Sequence, residues 1–378
     1  MLNLLCLIVI ALCLSWTTFG LLAIGAHSKK PVAILKHEHP GVTILKPLCG
    51  TDPGLVSNLE SFFNQDYARY EIVFGIEGSQ PALVALVEAL RLRYPAVSTK
   101  VVIHQGGSGL NPKVRNIRHM VEHAAYDLLL ISDSNISAPP EYVQDAMDTF
   151  LDDPEHTGVV TNLFVGYGES TLGSALENVQ LNGFCVAGAA LPTLLGDACV
   201  VGKSMLFSRR TLEKVGGFEK VSDVLAEDFV MGKMFQHAGY KVRLANVVLR
   251  NMTQNLSVQA FFDRHVRWAM LRLRLRPAAY LLEPFTSPLF TLPFAWHLMG
   301  RDALFLVMAL WQLRDVAQWL ILRGPHASVL PMVLAPVRDA LSLLAWAVAP
   351  FKKHVVWRGT RVRLGAGTLL FHEATLAP

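Results

Sequence analysis

The sequence predicts an α/β fold with a mostly parallel sheet, preceded and followed by hydrophobic helices. Two observations lead to this prediction. Between about residues 40 and 165, short β-branched apolar stretches alternate with helical stretches, the order expected of a parallel sheet covered on both faces. Hydrophobic residues make up 52% of the 378 residues and charged residues only 17%, a balance typical of membrane proteins.

The first predicted element is a hydrophobic helix. Residues 2–26 carry no charged side chain, and about 20 apolar residues suffice to span a bilayer. A cleaved signal peptide is the alternative, but it would begin with basic residues and have a shorter apolar core. Lys29 and Lys30 follow the run and no Lys or Arg precedes it, so the positive-inside rule places the next domain in the cytosol.

Strands and helices then alternate. The sequence predicts strands at GVTILKPL, YEIVFGIE, STKVVIHQ and YDLLLISDSN, and helices at SNLESFFNQ, PALVALVEALRLRYP and NPKVRNIRHMVEHA. The second helix opens with Pro81, which is favoured at the first helical position. Ligands of such sheets bind at the carboxyl ends of the strands, where Glu77 and Asp133 are both expected.

Beyond residue 165 the pattern is mixed. A helix is predicted to begin near Glu227 and Asp228. A strand at KVRLANVVLRN and a long helix at SVQAFFDRHVRWAMLRLRLRP follow it. The basic residues of this last helix are concentrated towards its end.

Three apolar stretches, at about 281–300, 303–322 and 328–350, are long enough to span a bilayer. The last two each contain an Arg-Asp pair, which is expected to face the interior of a helix bundle. Three spans would place the basic tail at 351–378 outside the cytosol, against its charge. We therefore expect one stretch to be re-entrant or interfacial.

Bulk charge and cysteine content exclude several classes of protein. The formal net charge of +4 is too small to indicate a nucleic-acid-binding protein. The five cysteines show no CxxC or Cys/His spacing, so neither a disulfide framework nor a zinc site is predicted. The sequence indicates no obligate protein partner.

Asp133 is the first candidate for chemistry. It follows a predicted buried strand, and Asn135 supplies a second oxygen two residues later. Such a pair can bind one face of a divalent ion, and Mg²⁺ favours sites that substrate phosphates complete. A turn-forming aspartate is the alternative interpretation.

Two further segments carry candidate residues. Asp228, preceded by Glu227 at a helix start, is a candidate general base for an acceptor hydroxyl; helix capping is the alternative. The segment GSGLNPKVRN places Lys113 and Arg115 after a glycine-rich turn. Such a turn can contact a diphosphate or a nucleobase, or it can be an ordinary loop.

The stretch RHVRW contains Arg264 and Arg267, which lie three residues apart and therefore share a helix face. Guanidinium groups suit phosphate oxygens, and Trp268 is placed to pack against a sugar or a lipid chain. The alternative is a juxtamembrane basic helix that binds anionic lipid headgroups.

In combination, these motifs resemble the ceramide glucosyltransferase family of inverting glycosyltransferases. The resemblance spans nearly the whole chain, and its most specific block is DRHVRWAMLRLRLRPAAYLLEP. Bacterial hopanoid-lipid glycosyltransferases are close relatives. The resemblance implies a nucleotide-sugar-binding fold of the GT-A type, a UDP-sugar co-substrate, and Mg²⁺ or Mn²⁺ as cofactor.

The resemblance also implies roles for individual residues. Asp133, with Asn135, is associated with the metal and the diphosphate, and Asp228 is the catalytic base. Arg264, Arg267 and Trp268 match the (Q/R)xxRW motif, in which the arginines bind the donor and the tryptophan lines the acceptor site.

Lys113 matches the lysine of the family's NPK motif and is inferred to contact the donor, while Glu227 lines the site beside the base. One position departs from the family pattern, because the usual aspartate after the second strand is absent from GIEGSQPAL. Either Glu77 substitutes for it in donor binding, or Gln80 and backbone groups recognise the base.

We therefore expect a membrane enzyme that transfers a hexose, glucose in the first instance, from a UDP-sugar to the primary hydroxyl of ceramide with inversion. Alternatives are N-acetylglucosamine transfer to a hopanoid, a polysaccharide synthase, and a non-catalytic nucleotide-sugar-binding scaffold. The expected organisation is multi-pass, with a cytosolic catalytic domain, in a bacterial inner membrane or a Golgi/ER-type membrane. The expected domains are an anchor at 1–30, a GT-A domain at 31–276, transmembrane or interfacial helices at 277–350 and a basic tail at 351–378.

Overall fold

The computed structural model describes residues 1–28, 40–52, 54–194, 199–357 and 360–372. Two compact units are present. The helical unit comprises Met1–Lys30, Val165–Leu194 and Thr253–Thr360, and the sheet unit comprises Pro31–Phe164, Leu195–Met252 and Arg361–Pro378. Lys29 and Lys30, on which the predicted orientation of the anchor rests, lie outside the described residues.

The regular elements are named in chain order. The helices are α1 (Leu2–Ser28), α2 (Leu55–Glu60), α3 (Pro81–Arg93), α4 (Pro112–Glu122), α5 (Tyr142–Leu151), α6 (Leu172–Gln180), α7 (Val186–Leu194), α8 (Arg209–Val215), α9 (Glu227–His237), α10 (Val258–Leu275), α11 (Pro277–Leu282), α12 (Pro288–Met299), α13 (Asp302–Arg323) and α14 (Ala335–Val348). The strands are β1 (Val42–Leu48), β2 (Tyr70–Glu77), β3 (Ser98–His104), β4 (Leu128–Ser132), β5 (Ile136–Ser137), β6 (Thr157–Tyr167), β7 (Ser204–Ser208), β8 (Lys241–Met252), β9 (His354–Trp357), β10 (Thr360–Leu364) and β11 (Leu370–His372).

The main sheet has the strand order β3-β2-β1-β4-β7-β6-β8-β5. Its first half is parallel, with β1 between β2 and β4 and with β3 beside β2. Pairing becomes antiparallel where β7 joins β4. The predicted α/β class with a mostly parallel sheet is confirmed, as are the predicted strands in this half.

Both faces of β1, β2 and β4 are buried, which explains their nearly continuous hydrophobic sequences, while β3 at the sheet edge is partly exposed. Side chains alternate across a strand, so Ile44 and Phe74 join the core on one face, while Leu45 and Val73 join the core on the other. Burying each such side chain stabilises the fold by roughly 1.5–3 kcal/mol. The two cores hold the strand ends in fixed positions, and the candidate site lies at those ends.

Helix α2 differs from its prediction over SNLESFFNQ. It begins at Leu55 and ends at Glu60. Phe62 and Phe63 follow in a turn and insert into the core, where they are 0% and 4% exposed. The free energy gained by burying these two aromatic rings exceeds the free energy that a longer helix would add.

The helical unit contains segments suited to a bilayer. Among the described residues, three helical segments are long and apolar enough to cross a membrane: Leu2–His27, Asp302–Arg323 and Leu330–Phe351. The stretch predicted at 281–300 does not form one such helix, because a short turn at Glu283–Thr286 separates α11 from α12. The 12 residues of α12 extend only about 18 Å, short of the roughly 30 Å of a bilayer core.

The Arg-Asp pairs of the last two spans face the interior of this unit, as predicted. Arg338 and Asp315 are 2% and 4% exposed, and their side chains form an ion pair at 2.8 Å. Arg314 also binds Asp315, at 2.6 Å. Buried pairing satisfies charges that would otherwise face hydrocarbon.

Part of the predicted basic tail is folded into the sheet unit. Strands β10 and β11 are antiparallel. The connection between them binds the loop before α9, since Leu225 N donates to Thr368 O at 3.0 Å and Leu370 N donates to Asp223 O at 2.7 Å. These bonds fix the loop that leads into Glu227 and Asp228.

Candidate active site

The carboxylate of Asp133 lies at the end of β4, where the parallel sheet positions it. Its two oxygens form ion pairs with Lys113 at 2.9 Å and Lys203 at 3.1 Å. Burial opposes ionisation of Asp133, but these two ammonium groups hold its pKa well below the usual range. Beneath it, Lys46 donates to the Asp133 carbonyl at 2.7 Å. The site therefore combines the ionised carboxylate of Asp133 with the ammonium groups of Lys113 and Lys203.

Lys203 joins the two residues predicted to bind a metal. Its ammonium donates to Asn135 Oδ1 at 2.9 Å and lies 3.1 Å from Asp133 Oδ2. The carboxylate and amide oxygens therefore converge on one cation, and this oxygen chemistry fits Mg²⁺ or Mn²⁺. Within the described ranges no group of three or more His, Cys, Asp or Glu side chains is arranged to hold a metal, so a bound ion would take its further oxygens from water and from substrate phosphates.

Lys113 is placed by the start of α4. The Asn111 side chain caps this helix by accepting from Lys113 N at 2.9 Å and Val114 N at 3.1 Å, as Asn at an N-cap commonly does. The Lys113 ammonium contacts Asp133 and also Glu227, at 3.1 Å, and it donates to Gly202 O at 2.8 Å. The predicted NPK lysine thus joins Asp133 and Glu227 in one cluster.

The two acids at the start of α9 have different environments. Glu227 is only 6% exposed, and burial raises its pKa although Lys113 opposes the rise. Asp228 is half-buried. Its Oδ2 accepts from Gly202 N and its Oδ1 from Phe229 N, both at 2.8 Å. A base must be reachable, so Asp228 is the better placed of the two.

Gly202 permits this arrangement. A Cβ atom on Gly202 would lie 2.6 Å from Asp228 Oδ2, too close for a real contact. The absent side chain lets the Gly202 N–H approach the carboxylate and fix its orientation.

Glu77 lies at the end of β2, as predicted, and it binds Arg115. The ion pair is 2.6 Å long, and Arg115 also donates to Gly109 O at 2.7 Å. Glu77 therefore helps to fix the glycine-rich turn. Gln80 accepts from Gly50 N at 2.8 Å. Participation of either residue in donor binding stays a prediction.

The arginine motif lies on α10, in the helical unit. The buried carboxylate of Glu177 on α6 binds both Arg264 and His265, each at 2.9 Å. Burial opposes ionisation of Glu177, but the interactions with His265 and Arg264 lower its pKa to about 2. Burial also lowers the pKa of His265, so Arg264 carries the positive charge of this pair at neutral pH. The His265 ring also meets Trp268 edge-on, with centroids 5.1 Å apart. Glu177 is 0% exposed, and its buried carboxylate holds the side chains of Arg264 and His265 in place.

Arg267 has a different setting from Arg264. Burial, together with the neighbouring charge of Arg264, lowers the pKa of Arg267. Two guanidinium groups held on one helix face favour an anionic ligand, because an anion relieves their mutual repulsion.

The structure thus places the residues predicted from the sequence in two groups, one in each unit. In the sheet unit Asp133, Asn135, Lys113 and Glu227 share contacts, and Asp228 binds the Gly202 backbone beside them. Arg264, Arg267 and Trp268 lie together in the helical unit.

The sequence interpretation missed Glu177 and Lys203. Glu177 is the lone charged residue in GSALENVQLNGF, and Lys203 comes just before the buried strand β7. A single charge in or beside an apolar segment was the available signal, because such a charge needs a partner.

The fold and this cluster define a glycosyltransferase that uses a nucleotide-sugar donor. The profile of glycosyl transferase family 21 matches residues 3–370. The chain belongs to glycosyl transferase family 21, and the resemblance seen in the sequence is confirmed.

Two curated relatives come from Caenorhabditis elegans. Ceramide glucosyltransferase 1 is 26% identical over 341 residues, covering 87% of this chain and 72% of the relative. Ceramide glucosyltransferase 3 is 27% identical over 346 residues, covering 87% and 73%. The similarity extends over both units.

Among solved structures, a mannosyltransferase from Pyrobaculum calidifontis in complex with GDP-Man and Mn²⁺ aligns with a TM-score of 0.55 at 18% identity. The alignment covers 93% of this chain and 99% of that one. This likeness shows a shared fold, and the predicted GT-A class is confirmed.

Proposed function

We propose that this protein transfers glucose from UDP-glucose to the primary hydroxyl of ceramide, with inversion at the anomeric carbon. The observation that carries the proposal is the half-buried carboxylate of Asp228, oriented by the Gly202 and Phe229 N–H groups at 2.8 Å. Membership of family 21 and the names of the C. elegans relatives support the choice of sugar and acceptor.

Asp228 would act as general base. It would accept the proton of the acceptor hydroxyl as the oxygen attacks the anomeric carbon, and the nucleoside diphosphate would leave with the electron pair of the broken bond. One displacement converts an α-linked donor into a β-glycoside without a covalent enzyme intermediate. General bases typically contribute about 10²–10⁴ to such rates.

Several cations of this chain would stabilise the leaving diphosphate. Lys113 and Lys203 lie beside Asp133, and binding of the donor by Arg264 and Arg267 stays a prediction. Preorganised charge of this kind is worth a few kcal/mol per group removed. Asp133 and Asn135 would hold Mg²⁺ or Mn²⁺ together with the diphosphate, and the bound dication supplies further positive charge there.

We also propose a multi-pass arrangement with the catalytic domain, residues 31–276, facing the cytosol. The anchor would lie at 1–30 and the remaining membrane helices at 277–350. With two spans after the catalytic domain, Asp302–Arg323 and Leu330–Phe351, the basic tail at 351–378 returns to the cytosolic side. This count agrees with the charge of the tail.

The test is an acceptor-by-donor assay on membranes. Ceramide and a hopanoid polyol are each offered UDP-glucose, UDP-galactose and UDP-N-acetylglucosamine, with and without chelator. Asp228→Asn is compared with Asp66→Asn, which alters an exposed carboxylate of the same unit. We expect glucosylceramide from the wild type and from Asp66→Asn, and a loss of about 10²–10⁴ in Asp228→Asn with UDP-glucose binding retained.

Other outcomes of the same assay count against the proposal. Product on the hopanoid alone would move the acceptor to that class. Galactose or N-acetylglucosamine transfer would change the donor. A soluble polymer released by purified protein, with no lipid product, would overturn lipid transfer altogether.

A further inference from the structure

The helical unit contains a partly open pocket with a free volume of about 50 Å³, called the cavity below. Protein interiors are close-packed and rarely leave voids larger than a water molecule. The walls come from α1, α6, α7, α10, α13, α14 and the segments that follow α6 and α11, and they include Trp16, Phe184, Arg272, Ser287, Asp339 and Ser342. The volume is several times the roughly 10–15 Å³ that one water molecule needs, so the cavity suits a small polar group of a ligand.

Four polar atoms of the cavity walls have no hydrogen-bond partner within the described part of the chain: Ser287 Oγ, Arg338 Nε, Asp339 Oδ2 and Ser342 Oγ. Of these, Arg338 Nε lies 3.1 Å from Asp339 Oδ1 in an ion pair. Ser287 and Asp339 are each only 6% exposed. Unsatisfied polar groups are costly in a bilayer, where water does not compensate them. Two hydroxyls and one acceptor-only carboxylate oxygen are therefore available to a ligand.

The charges around the cavity cancel. Arg272 binds Glu283 at 3.0 Å, and Asp315 binds both Arg314 at 2.6 Å and Arg338 at 2.8 Å. Together with Asp339, the three arginines face three carboxylates, so no net positive charge is left over for a phosphate. A neutral head that offers N–H and O–H donors fits better than an anionic headgroup does.

Aromatic rings form the apolar part of the walls. Trp16 and Phe184 have centroids 6.2 Å apart. Trp346 stacks on Tyr280 at 5.5 Å, and its indole N–H donates to the Tyr280 carbonyl. Such rings combine a large apolar area with a polar edge, which suits the junction between a lipid head and its hydrocarbon chains.

The cavity lies close to the arginine motif along α10, which carries the motif, and along α6, which carries its partner Glu177. Gln180, which lines the cavity, follows Glu177 by three residues on α6. Arg272 follows Arg267 by five residues on α10. At about 1.5 Å rise per residue, these offsets are roughly 5 and 8 Å along the helix axes.

We propose that this cavity binds the polar head of the acceptor lipid, a neutral head that carries amide and hydroxyl groups. The proposal rests on the proposed function for the role of that lipid as acceptor. Asp339 Oδ2 accepts an N–H or O–H of the head, and the hydroxyls of Ser287 and Ser342 bind its remaining polar atoms.

The test fills the cavity without touching the donor cluster. Ser342→Leu adds bulk inside it, and Ala340→Leu adds a similar side chain at an exposed position of the same helix. Each full-length variant in lipid nanodiscs is labelled with a photoactivatable ceramide carrying a diazirine, and labelled peptides are mapped by mass spectrometry. UDP-glucose binding and thermal stability are measured in parallel.

We expect labelling of the peptides that contain Gln180–Phe184 and Arg338–Trp346. It should fall at least tenfold in Ser342→Leu, stay unchanged in Ala340→Leu, and be competed by unlabelled ceramide but not by phosphatidic acid. The KM for ceramide should rise at least tenfold while the KM for UDP-glucose is unchanged. If Ser342→Leu does not fold, Ser342→Ala removes only the hydroxyl and should weaken labelling severalfold.

Labelling that maps elsewhere, or that survives in both Ser342 variants, overturns the cavity proposal. Stronger competition by phosphatidic acid than by ceramide also overturns it, because the ligand would then be anionic. If the wild type makes no glucosylceramide, the proposed function fails separately, and the mapped labelling still decides whether the cavity binds this class of lipid.

Discussion

Replacing Glu177 with glutamine removes the buried negative charge that Arg264 and His265 share at 2.9 Å each. The pKa of this carboxyl is lowered from 4.5 to about 2. A tenfold change in acid dissociation corresponds to about 1.4 kcal/mol, so the ionised form stabilises the fold by at most roughly 3 kcal/mol. Burial lowers the pKa of His265, so Arg264 is the charged partner at neutral pH. We expect Glu177→Gln to lose up to that amount.

The pH dependence follows from the direction of the change. A carboxyl whose pKa is lower in the folded state contributes stability above its unfolded value and loses the contribution as the pH falls through its folded value. The difference in unfolding free energy between wild type and Glu177→Gln should therefore be full at pH 7 and shrink between about pH 4.5 and pH 2. Denaturant titrations in detergent micelles at pH 7, 5, 4 and 3 measure it.

Glu122→Gln is the matched control, because Glu122 is an exposed carboxylate on α4. It should change the free energy of unfolding by less than about 0.5 kcal/mol. Equal destabilisation of Glu177→Gln at pH 7 and pH 3 would refute the reasoning, since a loss independent of pH comes from packing and not from charge.

Gly202→Ala should lower turnover by tens of times with UDP-glucose binding nearly intact, because the new Cβ would lie 2.6 Å from Asp228 Oδ2. Unchanged turnover would show that Asp228, the proposed base, does not need the Gly202 N–H. Lys203→Met should lower the Mn²⁺ concentration that half-saturates UDP-glucose binding severalfold, because the ammonium competes for Asp133 Oδ2 at 3.1 Å. Equilibrium binding under a Mn²⁺ titration measures this, and an unchanged midpoint contradicts the competition.

Much of the fold follows from local patterns. Strands β1, β2 and β4 have nearly continuous apolar sequences because both of their faces are buried, and a parallel sheet places strand-end residues such as Asp133 at its ligand-binding edge. Helix starts were predictable too, since Pro112 follows a capping Asn111. The contacts of Lys113 with Asp133 follow from these local placements.

Other features depend on partners distant in the chain. The pairing of Glu177 with Arg264 and of Lys203 with Asn135 joins residues 87 and 68 positions apart, and no local periodicity encodes such distances. The hydropathy of residues 281–300 also predicted a possible span that the structure does not form. An apolar stretch has the same hydropathy whether it folds as one helix or is divided by a turn, as it is here at Glu283–Thr286.

The hydrogen bonds between Thr368 and the loop before α9 have a consequence for how the enzyme matures. Thr368 contacts Ala226 across 142 positions of sequence, and the candidate membrane spans at 302–323 and 330–351 lie between the two. A ribosome completes those spans before it makes Thr368. The loop before Asp228, the proposed base, therefore forms these bonds only after the candidate membrane helices have been synthesised, so a nascent chain that ends before Thr368 lacks the finished loop.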